Sequence, residues 1–124
     1  MRKVLVVEDS SAMRGLIASI VDQINDLEVV EVASGFEALR ILPREIFHLV
    51  ITDINMPDIN GLELISFLRQ TPAYQQIPVI IVSTESSERD RAKGMALGAN
   101  AYLTKPFSEE KLQETVKNLL AQVS

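Results

Sequence analysis

The sequence predicts an α/β fold, a parallel five-stranded sheet covered by helices on both faces, and three observations carry that prediction. Five short apolar runs, at residues 4–7, 29–33, 49–52, 79–82 and 101–104, alternate with helical patterns along the whole chain, which is the order of βα units. The runs are close to continuously apolar, as strands buried on both faces must be. Four of the five end in groups that suit a phosphoryl and metal site: Glu8-Asp9, Asp53, Ser83 and Lys105. In open parallel sheets the ligand crevice lies outside the carboxyl ends of the strands, so these distant residues are expected to converge there.

The elements follow in order. Met1-Arg2-Lys3 before the first run mimics the start of a signal peptide, but the run is short and meets Glu8-Asp9 at once, so it reads as a buried strand. Met13, Leu16, Ile17, Ile20, Val21 and Ile24 recur every three or four residues, one apolar helical stripe, with Ser10 or Ser11 as its cap. The second run, residues 29–33, lacks a reactive end and need not border the crevice. Ser34-Gly35-Phe36-Glu37 has the form of a capping box and opens a second helix through Ala38, Leu39 and Leu42, which Pro43 stops. Asn60 with Glu63 caps a third helix, ended by Pro72. The fourth, from about Ser87 to Leu97 with Gly98 as its stop, has only Ala92, Met95, Ala96 and Leu97 to bury, so its packing is expected to be weak. Ser108 starts a fifth helix, with Glu109 and Glu110 at the positive end of its dipole and Leu112, Val116, Leu119 and Leu120 to bury.

A chain of 124 residues, 47% hydrophobic, is the size of one domain with a real core, and residues 1–124 are read as a single domain. Twelve basic against seventeen acidic residues leave a net charge of −5 with no basic block, which argues against nucleic acid or an anionic membrane as partner. No run approaches the ~20 apolar residues of a membrane helix. The absence of cysteine removes disulfide and thiolate chemistry and is compatible with a cytoplasmic location.

Glu8, Asp9 and Asp53 in one cleft place three like charges together, which raises pKa values unless something neutralises them. A hard dication answers that need, and Mg2+, with its preference for oxygen ligands and retained waters, suits the set. With one histidine and no cysteine, zinc is nearly excluded. Taken singly, an acid after a strand is about as well explained as a turn former; all of them together are not. Pro106 after Lys105 can fix a turn that aims the lysine inward, and Ser83 can cap a helix or hold a phosphoryl oxygen. His48 precedes the third run, at the far end of the sheet from the acids, and reads as a surface residue without a role.

Together, residues 4–9 (Val-Leu-Val-Val-Glu-Asp), Asp53-Ile54-Asn55-Met56-Pro57 with Gly61, Pro78 through Ser83, and Lys105-Pro106-Phe107 resemble the receiver domain of two-component response regulators, CheY-like and single-domain. The resemblance covers essentially the whole chain. It implies a flavodoxin-like (βα)5 doubly wound sheet of order 2-1-3-4-5. It implies Asp53 as phosphoacceptor from a histidine kinase or phosphotransfer protein, Mg2+ held by Asp9, Asp53, the Asn55 carbonyl and Glu8 through water, and Lys105, Ser83 and Thr84 around the phosphoryl group. Ser83 and Tyr102 would be the switch pair, with Ser83 preferred over Thr84 as the switching hydroxyl, and Asn55 and Glu85 modulators. The output would be a changed helix 4, strand 5 and helix 5 surface that regulates a downstream protein. Glu8, Ser83 and Thr84 stand where the family more often has Asp, Thr, and Ala or Gly, and the bulk of Thr84 bears on acyl-phosphate lifetime and kinase access. Ser11-Ala12-Met13-Arg14 with Asn55 and Glu85 also look like chemotaxis regulators.

A stand-alone signalling switch, not a turnover enzyme, is therefore expected. The alternatives are a receiver excised from a larger regulator and an unphosphorylated docking module. An aspartyl phosphatase would usually carry a second acid at position 55, where this chain has Asn55. A flavin or nucleotide binder would need a Gly-rich phosphate loop, and neither G-x-x-x-x-G-K-[ST] nor G-x-G-x-x-G is present.

Overall fold

Hydrogen bonding in the computed structural model pairs every strand in parallel, in the order β2-β1-β3-β4-β5, the flavodoxin-like order. The structure describes residues 1–84 and 88–122. Among them the strands are β1 (Arg2–Val7), β2 (Leu27–Val32), β3 (Leu49–Thr52), β4 (Val79–Ser83) and β5 (Ala101–Thr104). The helices are α1 (Ser11–Asp22), α2 (Gly35–Ile41), α3 (Gly61–Gln70), α4 (Glu88–Leu97) and α5 (Glu109–Gln122).

Side chains alternate across each strand, and that alternation sorts the core. Val4 and Val6 face the layer made by Ile17, Ile20 and Val21 of α1 and Leu112, Val116 and Leu120 of α5. Leu5 and Val7 face the opposite layer, with Ala38 of α2 and Leu64, Ile65 and Leu68 of α3. Burying one such side chain fully is worth roughly 1.5–3 kcal/mol, so both layers hold the strand ends in register.

The helix starts are fixed by their caps. Ser10 accepts from the Met13 amide, Asn60 and Glu63 complete a reciprocal capping box, and Ser108 accepts from the Lys111 amide. Ser34 accepts from the Glu37 amide, but the Glu37 carboxylate meets the Ser34 hydroxyl, leaving the reciprocal half of that box unmade. The Phe36 amide is instead capped by Asp58, 22 positions away, at 2.9 Å.

Four expectations change. Strand β2 begins at Leu27 and ends at Val32, shifted toward the N-terminus because pairing with β1 starts at Arg2. Pro43 does not simply stop α2: the helix ends at Ile41, and Leu42, Pro43 and Arg44 continue as a 3-10 turn, a place where proline's missing N–H costs nothing. Leu16 lies outside the α1 stripe, 49% exposed. Ala92, Met95, Ala96 and Leu97 are all exposed, and Gly94 is the one buried residue of α4. The weak packing expected of α4 is observed, but through Gly94 rather than through the four apolar side chains.

Candidate functional site

Three strand ends meet at one edge of the sheet. Glu8 follows β1 and is 1% exposed, Asp53 follows β3 and is 8% exposed, and Asp9 beside them is open to solvent. A carboxylate oxygen from each lies within 4.8 Å of the others. Lys105, at the end of β5, reaches into the cluster: its Nζ donates to Glu8 Oε1 at 2.7 Å and to Asp53 Oδ2 at 3.3 Å. The Lys105-Pro106 peptide is cis.

Backbone donors hold the remaining oxygens. The Ile54 amide donates to Asp53 Oδ1 at 2.7 Å and the Ser10 amide to Glu8 Oε2 at 3.1 Å. Arg14, on the first turns of α1, donates from Nη1 to the Glu8 carbonyl at 2.9 Å and so secures the turn out of β1. Gly61 sits directly on the turn after β3. Its amide donates to the Ile54 carbonyl, and a Cβ at 61 would collide with the Asp53 carbonyl oxygen. Only glycine lets α3 start this close to the acid.

Burial pushes the Glu8 carboxyl above its ordinary 4.5, against the opposing Lys105 and Ser10 hydrogen bonds. Burial alone would lower the Lys105 ammonium, but the Glu8 hydrogen bond and the Asp53 and Glu8 charges outweigh it and raise the ammonium above 10.5. Three carboxylates against one ammonium leave about two negative charges in a crevice made of oxygen donors. That set fits a hard, oxygen-loving cation and offers nothing soft to zinc.

The other candidate residues fall as follows. Ser83 is fully buried at the end of β4, Thr84 beside it is exposed, and Asn55 is exposed two positions beyond Asp53. Tyr102 of β5 is 5% exposed, its ring under the Arg91 guanidinium at 5.7 Å. Glu85 and the expected helix start at Ser87 lie outside the described residues. His48 accepts from the Lys3 amide through Nδ1 at 3.0 Å, a structural bridge at the opposite edge of the sheet. Asp58 escaped the sequence reading, because a bond to a backbone amide 22 positions away leaves no local pattern; Arg14 entered it only as part of Ser11-Ala12-Met13-Arg14, without its bond to the Glu8 carbonyl.

The model of the response regulator receiver domain family matches residues 4–117. A chemotaxis protein CheY homolog from Campylobacter jejuni is 37% identical over 119 residues, 95% of this chain and 92% of its own. The solved chemotaxis protein CheY4 of Vibrio cholerae superposes with a TM-score of 0.88 at 34% identity, covering 96% of this chain and 98% of that one. The Mn2+-bound form of response regulator Rcp1 gives 0.86 at 26% identity, over 100% and 98% of the two chains. No described helix is long and apolar enough to cross a membrane.

Proposed function

This chain belongs to the response regulator receiver family, and from that premise we propose that residues 1–124 form one cytoplasmic receiver domain, a switch set by phosphorylation of Asp53. The observation that carries the proposal is the meeting of Glu8, Asp9 and Asp53 with Lys105 in a single crevice. An Asp53 carboxylate oxygen attacks the phosphorus of a phosphohistidine on a kinase or phosphotransfer protein; the new O–P bond forms as the P–N bond to the donor imidazole breaks. Asp53 is presented for this by the Ile54 amide and by Gly61 beneath its backbone.

Asp9, Asp53, Glu8 and the Asn55 carbonyl would hold Mg2+, and the Mn2+-bound form of the related Rcp1 supports a divalent ion in a fold of this kind. When bound, the ion supplies neutralisation of the charge on the transferring group, the main requirement of phosphoryl transfer. Lys105 leaves Glu8 and Asp53 to pair with the added phosphoryl oxygens, with Ser83 and Thr84 beside them. Drawing Ser83 toward the phosphoryl group biases Tyr102 and the α4, β5 and α5 surface toward one of two arrangements. A downstream protein reads that surface, in chemotaxis if the likeness to CheY extends to its role.

Intact mass measurement after acetyl phosphate and Mg2+ tests the reading. One phosphoryl increment is expected on the wild type and none on Asp53→Asn, which keeps the shape and removes the nucleophile. Labelling that persists in Asp53→Asn moves the acceptor elsewhere, and a wild type that never labels leaves the docking-module alternative standing. Mg2+ should also raise the melting temperature, since a ligand of the folded state stabilises it, and Asp9→Ala should remove the rise.

A further inference from the structure

Helix α4 is held unevenly along its length. None of residues 88–93 is buried. Gly94 sits so close to the sheet that a Cβ there would lie 2.6 Å from Ile81 Cδ1. Beyond it the backbone is tied down: the Gly98 amide donates to Met95 O at 3.1 Å, Ala99 to Gly94 O at 3.1 Å and Asn100 to Val79 O at 2.8 Å.

Arg69, in the last turn of α3, closes this end. Its Nε and Nη2 both donate to the Gly98 carbonyl, at 3.0 and 2.9 Å. Its Nη1 donates to Ile77 O at 2.7 Å and Gln75 O at 3.2 Å, and Nη2 also to Asn100 Oδ1 at 3.0 Å. Asn100 Oδ1 in turn accepts from the Val79 amide at 2.8 Å. Gly98 directly follows α4, so the guanidinium lies just past the helix's C-terminus, where a positive charge also matches the negative end of the dipole. Gly98 has φ +116°, and a Cβ there would come within 2.9 Å of Arg69 Cγ and Nε. Its bare backbone and left-handed turn thus make room for the arginine. At the other end of α3, Gly61 rests on Asp53, so one helix joins the acid crevice to the end of α4.

Building on the function proposed above, we infer that Arg69 makes the C-terminal end of α4 a fixed pivot, about which the half nearest Thr84, residues 88–93, swings when Asp53 is phosphorylated. Arg69 touches no reacting group; it is a positioning residue for the output motion.

Hydrogen exchange on the full chain with Mg2+, with and without beryllofluoride as phosphoryl mimic, reads the pivot directly. Binding of the mimic is checked first by the rise in melting temperature. In the wild type, Ala92 and Lys93 amides should change their exchange rate about tenfold or more, while Gly98, Ala99 and Asn100 change less than about twofold. In Arg69→Gln and in Gly98→Ala the response should spread to residues 98–100, with acetyl phosphate labelling of Asp53 retained. Arg69→Lys keeps the charge without the planar fork and should fall between. A wild type that binds the mimic yet responds equally at residues 92–93 and 98–100 overturns the pivot alone, whatever the variants do. Variants that keep the wild-type contrast overturn the role of Arg69. A wild type that does not bind the mimic at all overturns the switch reading, and this inference with it.

Discussion

Residues 53–60 and helix α4 come after neighbouring strands, β3 and β4, yet the chain secures them in opposite ways. Residues 53–60 are clamped from three sides: Gly61 lies against the Asp53 backbone, Gly35 against Ile59, and Asp58 caps the Phe36 amide of α2. Helix α4 buries one residue, and that residue has no side chain. The phosphoryl transfer proposed at Asp53 would require reacting groups held in place before the reaction, and rigidity there costs nothing that function needs. A helix that must answer a local charge change has to be cheap to move, and low local stability is how a fold provides that. On the function proposed above, the difference between the two segments is the division between the part that would accept the signal and the part that would pass it on.

The largest effect should come from Lys105→Ala, which strands Glu8 and Asp53 as buried, unpaired charges. Removing one partner of a buried pair costs about 3 kcal/mol, measured by denaturant unfolding at neutral pH. The pH dependence carries the sign. Glu8, already raised above 4.5 by burial, should rise further without the lysine, so the variant regains stability as pH falls through the new value. In the wild type the stabilisation from Lys105 is present below 10.5 and lost as pH rises through its elevated folded value. The variant should still bind Mg2+ yet fail to turn phosphorylation into a surface change.

Gly61→Ala attacks the clamp itself. Overpacking against backbone costs about 1–3 kcal/mol, and the displaced turn should slow labelling of Asp53 by acetyl phosphate more than it weakens folding. A fully active Gly61→Ala would break the contrast drawn above. A smaller loss is expected from Asp58→Ala. The Ile59 and Phe36 amides hold this carboxyl below 3.8, so its contribution is present above 3.8 and lost as pH falls through the depressed value, and the variant's melting temperature should approach the wild type's in acid. Met95→Ala on α4 should change stability by less than about 0.5 kcal/mol.

What the sequence made legible follows the range of each interaction. Strands buried on both faces, Ser10, the Asn60–Glu63 box and Ser108 are local patterns, and each stands where its residues place it. The acids and the lysine were legible because a parallel sheet brings strand ends together whatever lies between them. Edges and surfaces were harder. Strand β2 carries Glu28 and Glu31 on the sheet border, so its apolar run is shorter than its ladder. The sequence pattern marked α4 as weakly packed, but it named Ala92, Met95, Ala96 and Leu97 as the residues to bury, and all four lie exposed while Gly94 is the buried one. Arg69 looks like any solvated helical arginine in sequence, since all the carbonyls and the amide oxygen it binds come from outside its own helix.

Native-state hydrogen exchange on the unmodified chain tests the contrast most directly. The Asp53 amide, bonded to Val7 O at 3.1 Å, and the Gly61 amide, bonded to Ile54 O at 2.9 Å, should open only in the largest unfolding events of the domain. The Ala92 and Lys93 amides of α4 should open locally at a free energy at least about 2 kcal/mol lower. Equal opening free energies for the two pairs, or a lower one for Asp53 and Gly61, would contradict the account of a clamped acceptor beside a loosely held output helix.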